Sequence, residues 1–227
     1  MLRGEGVAVT AIPAEIYRGY LSSLLGGDRA ACAQVVNQAL SQGTPIRRVH
    51  LDLFQASLYE VGERWATNQI SVATEHLATA VTEGLLNELY SRLPSLERVG
   101  KTVLVAGLQP ELHQVGGKLV ADTFEMHGWD SRYLGANVPA DELRRLVREL
   151  QPDLVALSLV IYFNLPGLRV AIDELRREFP LLPIVVGGYG LRGGGAEFLE
   201  QCPGVQCVSS LDALDDYIRQ GPGSKRS

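Results

Sequence analysis

The sequence predicts an α + α/β chain: a four-helix bundle followed by a doubly wound parallel sheet of five strands. Two observations carry this. Before residue 94 the apolar positions recur at helical spacing; after residue 101 short β-branched runs alternate with helical stretches. The third is scale: 227 residues, 46% apolar and 21% charged, are enough for two compact domains of ordinary globular composition. The expected boundaries are 13–93 and 101–220, with PSLERVGK (94–101) as the linker.

The first helix, AEIYRGYLSSLL, opens after Pro13, a residue suited to a first turn, and stops at Gly26-Gly27-Asp28. Asp28 can cap the second, RAACAQVVNQALSQG, which Gly43 ends. The third begins near Pro45 and runs through Val49, Leu53 and Ala56 to Val61, Gly62 and Trp65. Ser71 is the expected cap of the fourth, VATEHLATAVTEGLLNELYSRL. Four helices with short connections make a small bundle.

Strands are expected at 102–107, 131–135, 153–160, 183–188 and 205–209. Helices at 116–127, 139–150, 165–178, 194–200 and 211–219 separate and follow them. Such alternation makes a parallel sheet covered on both faces, here of flavodoxin-like type. Ligands of these folds bind beyond the carboxyl ends of the strands. The tail GPGSKRS reads as disordered.

The formal net charge is −5, with no Lys/Arg-rich run, which argues against direct nucleic-acid binding. Cys32, Cys202 and Cys207 have no metal-site spacing and fit free thiols in a reducing compartment. The N-terminus lacks the apolar core of a signal peptide, and no apolar run approaches the ~18 residues of a membrane span. A cytoplasmic protein with no membrane association is the expectation.

The loop after the first strand carries the chemistry. LQPELHQVGG is neither GxGxxG nor GxxxxGK, so nucleotide binding is weakly supported. Glu111 can accept a hydrogen bond from one ring nitrogen of His113, leaving the other for a metal. On this hexapeptide alone, a loop histidine paired with a carboxylate is the plainer alternative. Beyond it, Glu111-Leu112-His113-Gln114-Val115-Gly116 is followed after 41 residues by Ser158-Leu159-Val160, and after 26 more by Gly187-Gly188.

This spacing resembles the cobalamin-binding signature of methionine synthase, the mutases and their relatives, DxHxxG, SxL and GG. The resemblance implies that His113 is the lower cobalt ligand, in place of the cofactor's own dimethylbenzimidazole. It also implies that the displaced tail enters a slot lined by Gly116, Ser158, Val160, Gly187 and Gly188. Glu111 stands where the family has aspartate, and Val160 where it has leucine.

The bundle sequence GERWATNQISVATEHLATA places nine residues between Trp65 and Glu75-His76. This resembles the light-sensing cobalamin domains of MerR-type photoreceptor repressors and related antirepressors, over residues 13–219. The resemblance implies a bundle that caps the upper corrin face. Trp65 would pack over the upper ligand, Glu75 and His76 would contact or support it, and Val72 would occupy an upper-face position. Adenosylcobalamin is the expected form, with methyl- and hydroxocobalamin as alternatives.

The expected function is a cobalamin-dependent light sensor without a DNA-binding domain in this chain. It would act through a protein partner such as a transcription regulator, with homo-oligomers also open. The alternative is a corrinoid methyl carrier of a methyltransferase system; a cobalamin chaperone or store comes third. No residue set for catalysis by the protein alone is evident. The DNA-binding photoreceptors carry a histidine directly after the tryptophan; here Ala66 cannot coordinate. Among secondary positions, His127 is expected to be only helix C-terminal and His50 a surface or packing residue. Tyr162 and Asn164 can touch the corrin amides or pack within their loop. Tyr189, Gly190 and Gly193-Gly194-Gly195 form the mouth of the slot or a surface loop.

Overall fold

The computed structural model describes residues 12–94 and 96–221. The expectations for the N-terminal segment and for the tail after Gly221 lie outside them. The chain divides after Leu93 into two compact units.

The first unit is helical. α1 (Ala14–Leu25) and α2 (Arg29–Ser41) flank the Gly26-Gly27-Asp28 break, and Asp28 accepts from the Ala31 amide at 2.9 Å. α3 (Ile46–Arg48) runs through a π-helical segment, Val49–Gln55, into α4 (Ala56–Ala66). α5 (Val72–Tyr90) is capped by Ser71, which accepts from the Thr74 amide at 3.1 Å. Its core joins Tyr20, Leu24, Val36, Leu53, Phe54, Val61, Leu85 and Leu86.

The π-helical segment departs from the simple third helix expected. Val49, His50, Leu51, Leu53 and Phe54 are all buried, a wider face than α-helical spacing supplies, and the widened turn brings them inward together. His50 is thus a core residue rather than a surface one. It stacks on Phe54 with ring centroids 5.9 Å apart, and burial pushes its pKa down to about 4.

The second unit alternates strand and helix: β1 (Thr102–Ala106), α6 (Val115–Met126), β2 (Asp130–Tyr133), α7 (Ala140–Leu150), β3 (Leu154–Ser158) and α8 (Leu165–Glu178). Then follow β4 (Ile184–Gly187), α9 (Gly195–Leu199), β5 (Val205–Val208) and α10 (Leu211–Gln220). Its strands pair in parallel in the order β2-β1-β3-β4-β5, the doubly wound flavodoxin-like arrangement. The order reverses between β1 and β3, so the loops leaving these two strands flank the crevice where such folds hold ligands. Leu104, Ala106, Val155, Leu157, Ile172, Ile184 and Val186 belong to the core beneath it.

β3 ends at Ser158, two residues before the end expected for it. Leu159 stays buried, but its carbonyl accepts from the Gly190 amide at 3.0 Å, outside the ladder. The latter part of the linker packs on the sheet unit: Arg98 bonds the Glu125 carboxylate and the Trp129 carbonyl, and the Val99 amide donates to Gly128. His127 caps the end of α6, as its position suggested, and also bonds Asp215 of α10 at 2.8 Å. Cys32, Cys202 and Cys207 are free thiols. Among the described residues no helix is long and apolar enough to cross a membrane.

Candidate functional site

The loop between β1 and α6 presents His113 at the carboxyl end of the sheet. Its Nδ1 lies 2.5 Å from Glu111 Oε1, which also accepts from the His113 amide at 3.2 Å. With Nδ1 as donor, the lone pair sits on Nε2, the nitrogen suited to metal coordination. Glu111 itself is 1% exposed. Its second oxygen accepts from the amides of Val160 (2.8 Å) and Ile161 (3.0 Å) on the loop after β3. Burial alone would push this carboxyl up. The bonds from His113 and the three backbone amides outweigh it and hold the pKa near 2, so Glu111 is an anion at any ordinary pH.

Around this pair the chain comes unusually close to itself. A Cβ on Gly116 would lie 3.5 Å from Ser158 Oγ, so these two positions are neighbours. Ser158 stands opposite Gly187 in the β3–β4 register. Gly188 has φ +123, and a Cβ there would fall 2.1 Å from the Leu159 carbonyl oxygen, so only glycine fits. Gly190 presses on Val160: a Cβ would lie 3.0 Å from the Val160 carbonyl oxygen. Gly190 is therefore a packing position, while Gly193 and Gly194, also at positive φ, have open space around them. Beside the crevice, Tyr162 and Phe163 make an edge contact at 6.3 Å, with Phe163 89% exposed. Asn164 ends the same short turn.

The helical unit carries the remaining candidate residues. Trp65, on the last turn of α4, is 46% exposed, and Val72, Leu77 and His76 are exposed on α5. Glu75 Oε2 contacts His76 Nδ1 at 2.5 Å, and its Oε1 accepts from Thr79 Oγ1 at 3.0 Å. The end of α4 is fixed by Glu60, which accepts from Tyr17 Oη of α1 (2.7 Å) and from Arg64. Ala66 closes α4 and offers no ligand atom.

Residues 101–214 match the family described as B12 binding domain, and residues 16–90 match a second family of the same description. The chain belongs to the B12-binding family. It is related to the HTH-type transcriptional repressor CarH of Myxococcus xanthus, at 31% identity over 83% of this chain and 63% of that protein. It thus spans less than two thirds of that relative. It is also 26% identical to a trimethylamine corrinoid protein of Methanosarcina barkeri, over 66% of this chain and 70% of that one. In fold it matches the monomethylamine corrinoid protein of the same organism, with TM-score 0.78 at 14% identity over 89% of this chain and 96% of that chain. This B12-binding chain is a relative of transcriptional regulators and of corrinoid proteins alike.

The residues present fit a cobalamin. An imidazole whose Nδ1 is held by a buried carboxylate is a suitable donor to cobalt. Gly116 lies against Ser158, and Gly188 and Gly190 let the turn after β4 press directly on the main chain of Leu159 and Val160, so the backbone at this end of the sheet is free of side chains larger than these positions allow. Sequence reasoning named Glu111, His113, Gly116, Ser158, Val160, Gly187 and Gly188, and the sheet brings all seven to one end. It placed Trp65, Val72, Glu75 and His76 in the other unit, on consecutive helices. It missed Ile161, whose role is carried by a backbone amide. It also missed Tyr17 and Glu60, although Glu60 and Arg64 stand at the i, i+4 spacing of a helix pair.

Proposed function

We propose that this chain is a cobalamin-dependent light sensor that works in the cytoplasm and regulates transcription through a partner protein. The observation that carries this reading is an exposed Trp65 at the end of α4 together with the Glu75–His76 pair near the start of α5, in a chain 31% identical to a transcriptional repressor. In this reading His113, its ring oriented by Glu111, would supply the protein's nitrogen ligand to cobalt. Ser158, Val160, Gly116, Gly187 and Gly188 would line the slot for the displaced tail, and Val72, Trp65, Glu75 and His76 would be the helical unit's contribution toward the upper ligand. Bound adenosylcobalamin would supply visible absorption and a cobalt–carbon bond that light breaks. Trp65, exposed at the end of α4, would pack against the upper group of such a cofactor, and its release would change the surface of the helical unit. The output is assigned to a partner because a net charge of −5 gives little phosphate affinity.

The test is a set of spectra with adenosyl- and methylcobalamin, in the dark and after illumination, with particle size followed in parallel. Light-driven changes in both spectrum and size support the sensor. A second reading, a methyl carrier, is favoured by the fold match to a monomethylamine corrinoid protein. Methyl transfer to a thiol acceptor with a partner enzyme, and no light-driven change in size, would replace the sensor with the carrier.

A further inference from the structure

Glu111 joins parts of the chain that are far apart in sequence. Its Oε1 serves His113, two residues on. Its Oε2 receives two amides from Val160 and Ile161, about fifty residues away. Its backbone carbonyl receives the Asn137 amide at 2.7 Å, from the loop after β2. One residue therefore ties the loops leaving β1, β2 and β3. The Val160 and Ile161 amides lie directly before the short turn that carries Tyr162 and Phe163 beside the crevice.

We propose that Glu111 is a positioning residue with two separable duties. Oε1 fixes the His113 ring, and Oε2 clamps the loop after β3, so that the ring and the Tyr162–Phe163 turn keep one fixed relation. Glutamate's length is essential to the second duty. An aspartate carboxylate is one methylene, roughly 1.5 Å, shorter in reach. From the same backbone position it still meets His113, its near neighbour, and leaves the two amides across the crevice. Glutamine separates the duties the other way. Two fixed amide donors, Val160 and Ile161, face one oxygen and only one, the His113 amide at 3.2 Å, faces the other, so the glutamine carbonyl turns to the loop and its NH2 to His113, whose ring can change tautomer to accept. An NH2 donor there makes Nδ1 the acceptor and places the ring proton on Nε2, the atom a metal would need. The inference rests on the cobalamin reading only for what the clamp serves; the clamp itself is a property of the protein without cofactor.

The experiment uses the full chain, isotope-labelled and free of cofactor, as wild type, Glu111→Asp and Glu111→Gln. Amide hydrogen exchange is read at Val160 and Ile161, with Val155 and Leu157 of β3 as controls for folding. Imidazole nitrogen shifts are read at His113 at a pH where the ring is neutral. Glu111→Asp should accelerate exchange at Val160 and Ile161 by about tenfold or more while β3 stays protected and the Nε2-bare tautomer persists. Glu111→Gln should keep those two amides protected and switch His113 to the Nε2–H tautomer. Unchanged protection in Glu111→Asp, or an unchanged tautomer in Glu111→Gln, overturns the proposal.

A titration with hydroxocobalamin separates the two ideas. Wild type with both amides protected but no uptake of hydroxocobalamin supports the clamp and sinks the cofactor reading. If wild type binds, and Glu111→Asp frees the loop yet binds with the same affinity and spectrum, then the clamp does not serve the site and the proposal fails.

Discussion

The two units hold their candidate residues in opposite ways. In the sheet unit, Glu111 is buried, ionised and hydrogen-bonded by two loops, and Gly188, Gly190 and Gly195 after β4 are packed against main chain. In the helical unit, Trp65, Val72 and His76 stand exposed, and the partners of the Glu75 carboxylate, His76 and Thr79, lie on its own helix. A group whose partners are satisfied in advance can hold a ligand in a fixed geometry without reorganising. A group left at the surface gains partners only when something arrives and loses them when it leaves. The contrast suits a sheet that grips and a bundle that reports.

Acid should break the comparison most strongly. His50 has its pKa lowered to about 4 by burial, so the unfolded bundle binds the extra proton between about pH 6.5 and 4, and stability falls as pH falls through that window. The full cost is about 3 kcal/mol. In the sheet unit Asp122 is pushed up to about 7 by burial and by Glu125, and the sign reverses: that contribution grows as pH falls from 7 toward 4. Glu111, held near 2, gives its contribution up only below about pH 4.5. Between pH 6.5 and 4.5 the bundle should therefore weaken while the sheet does not. Trp65 and Trp129 are the chain's two tryptophans, one in each unit, so urea melts of Trp129→Phe and Trp65→Phe report the units separately. Parallel acid profiles for the two would remove His50 from this role.

Next in size is Gly188→Ala. The new methyl would meet the Leu159 carbonyl at a backbone conformation that L residues rarely adopt, and a loss of roughly 2 kcal/mol from the sheet unit alone is expected. A melt in which Trp129 fluorescence does not move would contradict it. His113→Ala should lower cobalamin affinity by about tenfold or more and shift the spectrum to the base-off form, with both melts unchanged. An unaltered spectrum would exclude His113 as the lower ligand. The smallest expected effect is at Trp65→Ala. Preference for adenosyl- over hydroxocobalamin should fall by about fivefold, the scale of one aromatic contact, with hydroxocobalamin binding retained. Equal losses for both forms would point to folding instead.

Much of this contrast was legible in the sequence because it is written in local signals. Asp28 and Ser71 announce their helices by cap chemistry, and the two-residue spacing of Glu111 and His113 announces their contact. The π-helical turn was not legible, since burying Val49, His50, Leu51, Leu53 and Phe54 together breaks the period by which helices are recognised. The early end of β3 was hidden because Leu159 is as apolar as the strand before it, and only the close approach of Gly190 shows that the backbone has left the ladder. The Glu111 clamp was invisible for a different reason. Its donors are main-chain amides, which every residue but proline possesses, so Val160 and Ile161 carry no mark of it.

The glycine contacts after β4 also set which properties of the site substitution can change. Gly188 rests on the Leu159 carbonyl, Gly190 on that of Val160, and Gly195 on that of Gly190 itself. That wall is made of main chain against main chain. A single exchange of side chains can alter the donor at His113 or the arm at Glu111 and leave the rest standing. It cannot enlarge Gly188, Gly190 or Gly195 singly, because a Cβ at each would press into main chain. The chemistry of the site is open to adjustment one side chain at a time; the backbone path at Gly188, Gly190 and Gly195 changes only as a unit.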